Sequence, residues 1–489
     1  MLDFRSLFCN WFGHLVERCT RLDQYLVERA AAAPDGRNKV PPIVIDLLGS
    51  LALLTEEIHR KATYLISLSA REVHDKRSTF YAEARAAAEE FRRLHGYVSH
   101  IPAPWPSPEL EVFLRRVIEE SGYRSASGSL ERRAWTILLS GDYNFSHILV
   151  PPSAASRGMV PQNVLHVPAA EKDNPLIWPN LVHELAHIIG VESGIVSAAQ
   201  ELPLVEGKSG AVRKVLEEWT HEIVADLLAT DFLGPAYFGA FVSFVAYWIP
   251  YSLRRRSRWH PEADCRVDYI LRRLREGPKS LESALVSQLK TEYEGRLQLD
   301  YEDERFRTEF FEDIAAASSG KSDYPSNADL QEFASSIVEL PSYRKVAPML
   351  LTEGDAAIIE ALGRRVTSGE IIASRREPSA RITFGSEEEI RGKFEEALDQ
   401  LRDKPNKIVH ILNAALLRKL SYEDSSKVRA GAPVAYTTQL LDDFCRTPVA
   451  GSKRLAALRR DVNGLDLVIS KSIEGAQILS FYQDFDEAS

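Results

Sequence analysis

Pro179-Asn180-Leu181-Val182-His183-Glu184-Leu185-Ala186-His187-Ile188-Ile189-Gly190 is the stretch on which the reading of this 489-residue chain turns. It contains His-Glu-x-x-His. On a helix, His183 and His187 are four residues apart and share one face. Two imidazoles at that spacing grip one zinc ion, and Glu184 sits beside the metal, placed to take a proton from metal-bound water. Pro175 and Pro179 precede the helix, and Gly190 reads as its C-terminal cap. Leu181, Val182, Leu185, Ile188 and Ile189 supply the apolar surround of a buried site.

A catalytic zinc site needs a third protein ligand. A third histidine following the glycine would fall at residue 193, which is Ser193, and neither Met159 nor Met349 is placed for the methionine turn of such sites. The other source is a carboxylate on a later helix. Glu217-Glu218-Trp219-Thr220-His221-Glu222-Ile223-Val224-Ala225-Asp226-Leu227-Leu228-Ala229 supplies it. Glu222 and Asp226 are four apart on one face. Glu222 reaches the metal, and Asp226 accepts from the far nitrogen of a ligand histidine, His183 by preference, which fixes its tautomer. Ala225 and Ala229 let the two helices pack closely. Glu218 and His221 stand as rival ligands.

His183-Glu184-x-x-His187 followed by Glu222-x-x-Ala225-Asp226 resembles the gluzincin metallopeptidases. It is similar both to the CAAX prenyl-protease and heat-shock membrane protease family and to the ImmA/IrrE-type regulatory metallopeptidases. Trp259-His260-Pro261-Glu262-Ala263-Asp264-Cys265-Arg266 adds a His-Pro and a following arginine, as the first of these often has. The resemblance covers about residues 145–275. It implies a small sheet packed on the zinc helix, with the strand nearest the site taking substrate as an added strand. Asn163-Val164-Leu165-His166-Val167 is the candidate for that strand. Catalysis then assigns Glu184 as general base and His260 as the donor to the developing oxyanion, with Arg266 or Tyr143 behind it. Arg266 has a plainer use as the partner of Glu262.

Outward from this centre, Trp135–Leu139, His147–Val150 and Asn163–Val167 read as short strands, the last two ended by prolines. Leu7–Ala33, Ile43–Ser69 and Ser78–Leu94 read as packed helices, and four prolines in residues 101–108 mark a boundary. Helices follow from Pro179 to about Arg275, and Gly277-Pro278 is the next break. Beyond it, Glu387–Arg402 and Lys407–Leu420 are the clearest helices, and Ala380–Phe384 reads as a strand. The expected fold is mainly α with some β: a helical N-terminal domain at 1–105, a zincin-like domain at 106–278 and a mostly helical region at 279–489.

Phe232–Leu253 carries no charge over 22 residues and is followed by Arg254, Arg255, Arg256 and Arg258. Gly234-Pro235 and Pro250 cut its helical part to Ala236–Ile249, the length of a buried core helix rather than a span. Sixty basic against seventy acidic residues, a net charge of −10, weigh against a nucleic-acid binder. Four scattered cysteines weigh against a disulfide scaffold. No basic stretch leads into an apolar run at the N-terminus, so the expectation is a cytoplasmic protein. The function expected is zinc-dependent endoproteolysis of a protein or peptide substrate, with one zinc ion per chain and a regulatory partner for the flanking regions. The alternative is a non-catalytic helical interaction protein with a structural or vestigial metal site.

Overall fold

Apolar residues at helical spacing from Leu7 to Leu26 build the first helix, α1 (Phe4–Ala31). Its core face carries Phe8, Trp11, Phe12 and Leu15, none more than 1% exposed. Against it pack α2 (Pro42–Ser67) and α3 (Arg77–Gly96). The structure is a computed structural model. It describes residues 4–31, 42–101, 108–121, 123, 135–150, 162–208, 210–247, 259–302, 324–347, 351–367, 407–420, 436–459, 462, 466, 469, 470 and 473. The expected Glu387–Arg402 helix and Ala380–Phe384 strand lie outside these residues, as does most of the 101–108 proline run.

After α4 (Pro108–Ser121) come the three strands: β1 (Trp135–Ser140), β2 (Ser146–Val150) and β3 (Gln162–Pro168). Their order is β1-β3-β2, with β1 parallel and β2 antiparallel to β3. Ile137, Leu165 and His147 stand in one cross-strand row. Ile137 and Leu165 are buried, while Leu138 and Ile148, on the opposite face, are exposed. This small sheet lies on α5 (Pro179–Glu192), which packs most extensively against α6 (Gly210–Leu233).

The uncharged run becomes α7 (Pro235–Tyr247), entered through Gly234 at φ 59°. It is buried almost throughout and packs on α5 and α6. No helix among the described residues is long and apolar enough to cross a membrane. The longer helices that follow are α8 (Ala263–Leu274), α9 (Ser287–Glu302), α10 (Asn327–Val338), α11 (Glu353–Thr367), α12 (Ile408–Leu420) and α13 (Tyr436–Arg446). The fold is thus mainly helical with one small sheet, as expected.

The three sequence regions do not own separate cores. Buried side chains from Phe4 to Ile473 form one cluster, and α1 packs on α13 near the other end of the chain. The polar face of α1 is buried too. Glu17 pairs with Arg18, Arg21 and Lys419 of α12, at 3.0, 3.0 and 3.1 Å. Arg18 also meets Glu171, Arg21 meets Asp466, and Asp23 receives Arg459. Burial works against ionisation of Glu17, but Lys419 and Arg18 hold its carboxyl well below the usual range.

Candidate metal centre

Pro179 occupies the first turn of α5, where its missing N–H costs nothing. The helix then runs through Gly190 to Glu192 and is closed by Ser193, so Gly190 is not the cap expected of it. Its role is proximity. A Cβ at Gly190 would stand 2.8 Å from Cγ1 of Val224 on α6. Ala186, Ala225 and Ala229 are fully buried. Small side chains therefore bring the two backbones close enough for Glu222 to reach the histidines.

His183, His187 and Glu222 meet, each offering one ligand atom, all within 4.8 Å of one another. The two Nε2 atoms are 3.2 Å apart. Glu222 Oε2 is 3.4 Å from His183 Nε2, and Oε1 is 3.4 Å from His187 Nε2. Nitrogen and oxygen ligands at about 2.0–2.1 Å in a tetrahedron lie roughly 3.3–3.4 Å apart. The spacings are of that size, with Oε2 of Glu222 turned to His183 and Oε1 to His187. Glu218 and His221 fall outside the group.

Behind the triad is Asp226, wholly buried. Its Oδ1 is 2.9 Å from His183 Nδ1. Arg266 on α8 forks onto it at 2.7 and 2.8 Å and reaches Glu222 at 3.4 Å. Tyr237 and Tyr269 donate to opposite oxygens. Burial opposes charge on Asp226 and Glu222; Arg266 and His183 foremost on Asp226, and the two histidines foremost on Glu222, hold both carboxyls well below the usual range. Burial likewise disfavours imidazolium at both histidines. Asp226 and Glu222 overcome it at His183, raised to about 10, whereas His187 falls to about 3. The contact with Asp226 keeps a proton on Nδ1 of His183, so Nε2, which faces the centre, is the nitrogen that would shed its proton to bind a metal.

Glu184 is half-buried beside the triad and accepts the backbone N–H of His147. Burial, with Glu222 adding to it, lifts its carboxyl to about 7. His260, more than half exposed, stands at the mouth with Nε2 3.5 Å from Glu222 Oε1.

Three expectations are corrected. Asn163–Val167 lies on β3, the central strand, with β1 on one side and β2 on the other, so both its edges are already paired. Arg266 is committed to Asp226 and anchors the cluster from behind. Tyr143 belongs to the other ion group, where its hydroxyl donates to Glu171 and accepts from Arg18.

Three residues of the site were not singled out by sequence. Tyr237 was visible only as a polar interruption of the apolar run. Tyr269 follows Arg266 by three residues on one helix face, a spacing that pointed to a shared target. His147 gave no signal, because only the sheet brings it to α5. No protein-family profile, curated protein or solved structure matches the chain.

Proposed function

We propose that this chain is a zinc-dependent endopeptidase of gluzincin type that makes restricted cuts in a protein partner. The observation that supports this reading is the grouping of His183, His187 and Glu222, one ligand atom each within 4.8 Å of the others, with Glu184 beside them. The two imidazoles and the carboxylate make a donor set that suits zinc. Zinc held by them supplies a Lewis acid and a water of near-neutral pKa.

The chain's own groups supply the rest. Glu184, beside the triad, accepts the proton of the attacking water on its carboxylate and passes it to the leaving amine. The imidazole of His260 at the mouth donates to the developing oxyanion. Asp226 keeps the proton of His183 on Nδ1 throughout.

The peptide is received by β2 instead of β3. The N–H of His147 goes to Glu184, so it faces away from β3. By the alternation of an antiparallel ladder, the N–H and C=O of Leu149 face outward as well. An extended peptide hydrogen-bonded along that edge passes directly beside Glu184.

Two variants test the proposal. Glu222→Ala should lose the metal. Glu184→Gln should keep about one zinc per chain and abolish cleavage, read by comparing new peptide termini in cells carrying either form. A Glu184→Gln protein with full biological effect would sink the peptidase reading in favour of an interaction protein. Wild-type protein that takes up no zinc would sink the metal assignment.

A further inference from the structure

We propose that Tyr237 is a positioning residue that fixes the imidazole of His183 for metal, a role its neighbour Tyr269 does not share. The inference rests on the metal reading of the triad. Both tyrosines are fully buried and each gives its hydroxyl proton to Asp226, but to different oxygens. Tyr269 bonds Oδ2, which otherwise receives Nε of Arg266. Tyr237 bonds Oδ1, the oxygen that also faces His183.

The difference lies in what the hydroxyl oxygen does next. A phenol has one proton and spare lone pairs. Tyr237 spends its proton on Asp226, so its oxygen, 3.2 Å from His183 Nδ1, can only accept there. The Nδ1–H is thus bracketed by two acceptors, Asp226 Oδ1 at 2.9 Å and the Tyr237 oxygen at 3.2 Å. The two rings are parallel to within 3°. With a single acceptor the imidazole is free to pivot about one hydrogen bond. With two it is held, and its Nε2 lone pair stays aimed at the point shared with His187 and Glu222. Tyr269 bonds the far oxygen, Oδ2; its effect is confined to keeping the buried Asp226 satisfied.

The pair therefore carries its own control. Tyr237→Phe and Tyr269→Phe each remove one hydroxyl from the same buried carboxylate. Zinc affinity of the full-length chain is read by competition with a chromophoric chelator. Unfolding midpoints of the metal-free forms and visible spectra of the cobalt(II) forms are read alongside. Both variants should lower the metal-free midpoint similarly. Tyr237→Phe should weaken zinc about 10- to 100-fold and alter the cobalt bands, whereas Tyr269→Phe should weaken zinc less than about threefold. Equal affinity losses overturn the positioning role, because satisfaction of Asp226 then explains both. A Tyr237→Phe chain that fails to fold while Tyr269→Phe folds overturns it too, since the two hydroxyls would differ in the fold itself. If the wild-type chain binds no zinc, the metal reading falls and takes this inference with it.

Discussion

The separation of α5 and α6 is the quantity on which the triad depends, and Gly190→Ala perturbs it directly. The new Cβ would stand 2.8 Å from Val224 Cγ1, with Val196 Cγ2 at 3.5 Å on the other side. Carbon atoms settle at about 3.5–4.0 Å, so the contact must open by roughly 0.7–1.2 Å. Val224 and Val196 are both buried, which leaves the helices themselves to give way. Of the triad's spacings, the 3.2 Å between the histidines lies within α5 and is untouched. The two 3.4 Å spacings to Glu222 cross between the helices and widen. Metal–ligand distances tolerate only about ±0.2 Å. Zinc affinity should fall about 10- to 100-fold, as when a supporting partner is lost. Metal-free stability should change less, because overpacking costs about 1–3 kcal/mol while alanine returns up to about 1 kcal/mol of helix propensity. Adding Val224→Ala removes the opposing methyl and should restore zinc binding. The assay is a chelator-competition titration on Gly190→Ala, Val224→Ala and the double variant. Wild-type affinity in Gly190→Ala, or no recovery in the double variant, would refute the argument.

Other perturbations give equally definite outcomes. Arg266→Ala leaves Asp226 buried without its cation and should cost about 3–5 kcal/mol in urea unfolding, with Arg266→Lys recovering only part because it cannot fork. Asp466→Ala, remote from the metal, strips Arg21 of a buried partner and should cost about 3 kcal/mol while leaving zinc affinity unchanged; a shift in affinity would contradict the separation of the two groups. His95 gives a pH signature. Burial holds its imidazole down at about 4, with Nδ1 bonded to the Gly141 carbonyl and Nε2 accepting from Ala170 N–H. Its folded pKa lies below the unfolded one, so its contribution of about 3 kcal/mol is present above pH ~6.5 and is lost as pH falls towards 4. His95→Gln should flatten that part of the stability profile, and an unchanged slope would exclude His95 as its source.

What could be read from sequence was what has a local signature. The expected strands Trp135–Leu139, His147–Val150 and Asn163–Val167 match β1, β2 and β3 to within a residue at either end. The grouping of His183, His187 and Glu222 followed from four-residue spacings and the small alanines beside them. Strand order was not legible, because a sheet's order depends on crossovers that leave no periodic trace. That is why the sequence offers β3 as the strand open to substrate although the sheet pairs both its edges. Gly190 misled for a related reason: a glycine near a helix end looks the same whether it caps the helix or admits a neighbour. On α1, helical spacing marks the packed helix, yet nothing in it marks Glu17, Arg18 and Arg21 as buried. Their partners Lys419 and Asp466 are some 400 residues away, beyond the reach of any pattern.

That last pairing bears on how the chain is made. Arg21 and Asp466 are separated by 445 positions. At about 5–20 residues per second, a ribosome needs roughly 20 to 90 s to produce the second after the first. Throughout that interval α1 has emerged with four buried-to-be charges, Glu17, Arg18, Arg21 and Asp23, and a row of aromatics that have no finished environment. It cannot reach its native surroundings until α12, α13 and Asp466 arrive. The interior around α1 therefore closes only after residue 466 has been made. A ribosome stalled before residue 466 would display a protease-sensitive α1, and extension well past that residue would protect it.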